Sequence, residues 1–205
     1  MKAKIKAIYN TVLPNKRINS FILVLFIIGF LTGAFFLTVI NTDEKTLITT
    51  KITNFVTNIN NNTLNSISIF KDNIITNYIF IFILWFFGLS IIGVFINIFL
   101  VYLRGFILGF TISSIILTYK AKGLLFNLIY IVPNELIKIL LIILLGTYSV
   151  SLSISILKEL LKKKDNNLRR VFKRYIAVLI LSLILGLLTA SYEAFILPNL
   201  FNLIY

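Results

Sequence analysis

The chain has no cysteine and no histidine. Together these absences exclude disulfides, thiol nucleophiles, imidazole bases and the common zinc ligands. Carboxylates are scarce too. There are seven Asp and Glu in 205 residues, and none forms a nucleophile–base pair or a metal cage. No catalytic, cofactor-binding or metal-binding residue is expected, and the chain reads as a non-enzyme. Charged residues make up 13% of the chain against 59% hydrophobic. A soluble domain of this length needs far more polar surface to cover its core.

What is present is long apolar runs, several beyond the roughly 18 residues that read as membrane-spanning. The expected fold class is all-α: a polytopic membrane helical bundle of about five transmembrane helices plus short amphipathic or re-entrant helices, in a single domain spanning 1–205. The net charge of +13 fits Lys and Arg beside membrane helices, with anionic membrane lipids as the partner and no nucleic acid.

Residues 1–17 form a short basic segment and 18–40 the first span, too long for a signal h-region and followed by no small-residue cleavage site. Residues 41–77 are the only long polar stretch. Ile48, Ile52, Phe55 and Ile59 follow helical spacing there. After Asn60-Asn61-Asn62, Leu64, Ile67, Phe70 and Ile74 repeat it. The pattern predicts two short amphipathic helices that lie on the bilayer, cap the bundle, or dock an external partner. Residues 78–119 carry one charge, Arg104. As a single helix they would reach about 63 Å, twice the bilayer core, so the run must fold back. Arg104-Gly105 is the predicted turn, dividing spans 78–102 and 105–119.

Residues 123–132 are an apolar piece, interfacial or re-entrant, if a helix starts at Pro133 and runs 133–157. Glu135 and Lys138 then lie near the membrane surface, with Glu135 at the favourable end of the helix dipole. The alternative is one kinked helix from Leu124 with Glu135 near the bilayer middle, where a charge costs roughly 3 kcal/mol. A basic loop, 158–174, and a last span, 175–197, stopped by Pro198, complete the chain. With the N-terminus inside, the inner segments hold five, one and eight Lys and Arg, fourteen in all, against five outside. This bias places the N-terminus in the cytoplasm and the C-terminus and 41–77 outside.

Small residues recur at four-residue spacing: Gly29 and Gly33; Gly105, Gly109 and Ser113; Ser182, Gly186, Ala190 and Ala194. Such stripes let helix backbones approach closely, within the chain or at a homodimer seam. Ser149, Ser151, Ser153 and Ser155 alternate, and serines in membrane helices usually bond their own helix backbone; a polar conduit is the other reading. A Lys138–Glu193 ion pair is expected to lock the last two spans. The same acidic residues are candidates for binding a partner's membrane anchor.

The chain resembles the stage II sporulation protein M family from Phe26 to Pro198. The resemblance rests on "FIIGFLTG" in the first span, "RGFILGF" beginning at Arg104, Gly123 followed by an apolar run into Pro133-x-Glu135, and "YEAFILP" at the end. Members of the family often carry His-Gly after the proline, where this chain has Asn134-Glu135. The resemblance implies a multipass protein of the mother-cell membrane in endospore-forming bacteria. It implies a scaffold for engulfment that holds two cell-wall hydrolases, an amidase/endopeptidase and a lytic transglycosylase. A transporter or permease subunit is the competing expectation, although no inverted repeat is evident in the chain.

Overall fold

The computed structural model describes residues 16–60, 66–161 and 168–196. Among them are six α-helices and no strand: α1 (Lys16–Val39), α2 (Thr42–Asn60), α3 (Ser66–Gly88), α4 (Gly93–Phe126), α5 (Val132–Leu160) and α6 (Leu168–Ser191). Two π-helical turns join them, Asn127–Ile131 before α5 and Tyr192–Ile196 after α6. All but α2 are long and apolar enough to cross a membrane. The chain is an all-α, multipass membrane protein.

Helix α5 is the axis of the bundle. It touches α1, α3, α4 and α6, and 72% of its apolar window is buried, against 11–33% in the other four. Leu145, Tyr148 and Leu152 of α5 meet Ile22, Leu84, Val101 and Tyr175 in the core. Exposed phenylalanines on the outside, such as Phe35, Phe86 and Phe95, are what lipid contact requires, since hydrocarbon carries no penalty for apolar surface.

The fold-back between residues 78 and 119 is not at Arg104-Gly105. Helix α4 runs straight through that pair, and the chain reverses at Leu89–Ile92 instead. That turn is entirely apolar apart from Ser90, so no polar signal marks it. Gly93 makes it close, because a Cβ there would collide with the Phe87 carbonyl. Gly105 has a different use. Gly29 and Gly33 of α1 interlock with Gly105 and Gly109 of α4, and a Cβ on any of the four would strike backbone of the opposite helix. Thr32 and Tyr102 share a hydrogen bond of 2.9 Å across the same seam. The third stripe also faces inward: Ser182, Gly186, Ala190 and Ala194 are all buried. Ser113 is only half-buried. None of the glycines or alanines expected at a homodimer seam is left on the surface.

Residues 123–132 are not a separate interfacial or re-entrant piece. The backbone at Lys120 takes a φ of 52°, breaking α4 there. The chain then doubles back: Gly123 lies against the Ile115 backbone, and Asn127 Nδ2 donates to the Ile112 carbonyl at 3.0 Å. From Ala121 it continues through the π-turn into α5 without a re-entrant piece. Pro133 stands in the first turn of α5, as the sequence predicts, but the backbone before it is already helical through the π-turn. The wider π-turn before it relieves the clash that a proline ring makes with the carbonyl four residues back. The kinked-helix alternative is the one the chain adopts.

Only one separate amphipathic helix is present, α2. Its stripe faces the bundle: Ile48 and Ile52 are half-buried, Val56 is buried, and the helix rests on α4. The side chains of Phe55 and Ile59 and the whole of Leu64 lie outside the described residues, as do Pro198 and most of 1–17. Ile67, Phe70 and Ile74 belong to the first turns of α3, which runs on into its span; Phe70 packs on Phe195, ring centroids 5.7 Å apart.

Two members of the α5 serine row, Ser149 and Ser153, serve the end of α3, whereas Ser151 Oγ is buried without a hydrogen-bond partner. The last carbonyls of any helix lack intrahelical partners, and inside a membrane each is costly if left bare. Ser149 Oγ donates to the Leu84 carbonyl at 3.1 Å, Ser153 Oγ to Gly88 at 2.9 Å, and Tyr175 OH to Trp85 at 2.7 Å. Asn97, fully buried on α4, donates to Ser149. These serines bond a neighbouring helix rather than their own backbone. Ser149→Ala would strand the Asn97 amide and leave the Leu84 carbonyl with only the longer Tyr175 hydroxyl bond, 3.4 Å. It is expected to cost about 1–2 kcal/mol, read as a lowered thermal midpoint in detergent. Ser155→Ala, whose hydroxyl is outside this set, should leave the midpoint unchanged.

Candidate intramembrane charge cluster

Four charged residues from three helices meet inside the bundle. At 1.5 Å per residue, Arg104 lies about 24 Å and Glu135 about 22 Å along their helices from the reversal at Lys120. Both thus lie well inside the bundle, away from the reversal at Lys120. Glu135 and Lys138 share one face of α5 by their three-residue spacing. Lys138 Nζ contacts Glu135 Oε1 at 3.1 Å and Glu193 Oε1 at 2.5 Å. Asn134, one turn before Lys138, donates its amide to the same Glu193 oxygen. Arg104 approaches Glu135 Oε2 at 3.7 Å and lies over the Phe80 ring, 5.8 Å from its centroid.

The bundle places each member for a local reason. Gly186 and Ala190 remove side chains from the α6 face that meets α3, so α6 sits close. The π-turn Tyr192–Ile196 inserts an extra residue per turn, which re-aims its side chains and seats Ala194 in the interior. Glu193 in that turn meets α5 at Lys138. The expected Lys138–Glu193 pair is therefore formed, and it does tie α5 to the end of α6.

Charge-pair reasoning from the sequence does not reach three neighbours: Asn77 on α3, Asn134, and Thr189 on α6. A signal for the two amides exists, since an Asn in or beside an apolar run is expensive without a partner. Arg104, expected at the headgroups, lies beside Glu135 instead. A cleft next to the cluster is lined by Asn77, Phe80, Arg104, Lys138, Gly186 and Thr189, among others, and offers about 30 Å³, room for one or two waters.

Chemically, the cluster has two cations and two carboxylates and is electrically balanced. It has no nucleophile with a base beside it. Among the described residues no group of acidic side chains could hold a metal ion. The arrangement can lock helices, accept hydrogen bonds, or exchange partners between cations.

The family model described as Stage II sporulation protein M matches residues 22–198, most of the chain. No curated protein matches it. No solved structure matches it either.

Proposed function

The chain belongs to the stage II sporulation protein M family, so it is a sporulation-related membrane protein, and from that premise we propose that it is a membrane scaffold of the engulfment machinery. In this reading it recruits and holds peptidoglycan hydrolases, an amidase/endopeptidase and a lytic transglycosylase, at the septal and engulfing membrane of the mother cell. The observation that carries the reading is the family match over nearly the whole bundle.

Orientation rests on the charge bias. With Arg104 inside the bundle, the segments on the α3–α4 turn side hold thirteen Lys and Arg against five on the other. The bias still favours a cytoplasmic N-terminus and an external α2. Because α2 turns Ile48, Ile52 and Val56 toward the bundle, its free face is mainly polar, with Leu47 exposed on it. Thr46, Thr50, Thr53 and Thr57 line it, each hydroxyl donating to a carbonyl of its own helix. The docking surface is then this threonine face and not the apolar stripe.

Co-purification tests the proposal. The detergent-solubilised protein, expressed with both hydrolases, should capture them. A Thr50→Arg, Thr57→Arg variant should lose about tenfold or more of the captured enzyme while remaining monodisperse, since a charge forced into a fitted surface costs on the order of 1.4 kcal/mol or more. If neither hydrolase is captured while both are expressed and folded, the scaffold reading fails.

The charge cluster favours a second reading, a transporter or permease subunit, since ionisable residues within membrane spans mark substrate paths in many membrane proteins. Substrate flux in liposomes that disappears with Glu135→Ala would favour it over the scaffold.

A further inference from the structure

The cluster is balanced in charge but not in hydrogen bonds. Arg104 carries five N–H donors. Among the described residues its contacts are the 3.7 Å approach to Glu135 and the Phe80 ring, and neither is a hydrogen bond. Across the cleft, Asn77 Nδ2 is buried with no hydrogen-bond partner. One oxygen of each carboxylate is engaged: Oε1 of Glu135 accepts from Lys138, and Oε1 of Glu193 from Lys138 and Asn134. Arg104 and Asn77 both line the cleft and present donors to it, whereas neither carboxylate nor Asn134, whose Oδ1 is also buried without a partner, is among its lining residues. A bare donor inside a membrane span costs several kcal/mol in hydrocarbon, so an acceptor from outside this chain has to supply the balance.

The balance of two cations against two carboxylates decides which kind. A third anion would unbalance the site, whereas a neutral acceptor would not. The room, one or two waters, agrees. So does the route. The first half of α3 is polar: Ser66, Ser68, Lys71, Asp72, Asn73 and Thr76 precede Asn77. Lys71 and Asp72 lie toward its start, and Asn77 is only about 9 Å further along the helix than Lys71. The geometry points to a hydrated cleft: water enters from the Lys71 side along α3 and binds between Arg104 and Asn77, inside the bundle and from one face of the membrane only. This inference is independent of the scaffold reading, since it concerns only the bundle and its solvent.

The absence of native cysteine makes the test direct. Single cysteines replace Asn77, Thr189, Ile79, Lys71 and Lys158, and each variant is treated in oriented vesicles with silver ion, a membrane-impermeant thiol reagent small enough for a water-sized cleft. Silver bonds the thiolate, which forms in water and not in hydrocarbon. Lys71→Cys and Lys158→Cys define the two faces. Ile79→Cys, two residues beyond Asn77 and 54% exposed, reports the lipid-facing side. Asn77→Cys and Thr189→Cys are expected to react about tenfold or more faster than Ile79→Cys, from the Lys71 side only. Rates equal to that of Ile79→Cys, or labelling from the Lys158 side, overturn the inference. Should both cleft variants fail to fold, hydroxyl-radical footprinting of the unaltered protein decides. Oxidation of Phe80 above that of the more exposed Phe99 supports bound water, and the reverse order overturns it.

Discussion

Gly33→Leu is expected to remove nearly all folded protein. Helices α1 and α4 approach so closely at this point that even one added carbon collides with the Phe106 backbone. A flexible side chain can swing away from such a clash; a helix carbonyl cannot, because it is held by its own ladder. Overpacking a core costs about 1–3 kcal/mol where side chains give way, and more where backbone must move. Leucine adds three further carbons, so the two helices have to separate. Separation also forfeits the mirror contacts at Gly29, Gly105 and Gly109 and the Thr32–Tyr102 bond. The measurement is the monodisperse fraction and thermal midpoint after solubilisation. Gly146→Ala is the control. Its Cβ meets only the end of Val101 at 3.1 Å and of Ile22 at 3.7 Å, and it should cost under about 1 kcal/mol. A Gly33→Leu protein as stable as the unaltered chain would mean that the two helices do not cross there.

That crossing shows what residues reveal and what they conceal. The glycine spacing in "FIIGFLTG" and "RGFILGF" predicts a close helix pair, because only small residues permit one. It does not say which stripe meets which. Arg104-Gly105 reads as a turn because an isolated cation and a glycine in an apolar run have two physical explanations. One is escape to headgroups with a bend; the other is a buried partner with a helix crossing. Length alone demands a bend somewhere in 78–119. The bend falls at Leu89–Ile92, where the side chains look like any membrane-buried helix and only Gly88 and Gly93 differ.

Pro133 is ambiguous in the same manner. Proline near a helix start is the commoner case, and a π-turn that absorbs it in mid-helix leaves no mark in composition. The amphipathic stripe of α2 is legible as a stripe, but periodicity cannot tell whether an apolar face meets lipid, a partner or the parent bundle. The Lys138–Glu193 pair is legible for a firmer reason. Unpaired charge in hydrocarbon is expensive enough that two opposite charges near the same depth will usually find each other.

Lys138→Met tests how much that pairing matters, and its expected effect is of the same order as the glycine substitution. Lys138 is the only cation within hydrogen-bond reach of both Glu135 and Glu193 among the described residues. Removing it leaves Glu193 with the Asn134 amide alone and Glu135 with Arg104 at 3.7 Å. Breaking a buried pair from one side costs about 3–5 kcal/mol, chiefly because the remaining charge stays desolvated. Lys138→Met should therefore lower the thermal midpoint sharply. Removing both charges is a different matter. Lys138→Met combined with Glu193→Gln deletes the orphan, and an ion pair replaced by neutral groups of similar size is often close to neutral in stability. The double variant should recover most of the loss, with a coupling energy of about 1–3 kcal/mol in the cycle. The residual deficit then belongs to Glu135, which keeps Arg104 as its one cation. A double variant as unstable as Lys138→Met alone would show that Lys138 acts through packing of its long stem, and that charge compensation is not what ties α5 to α6.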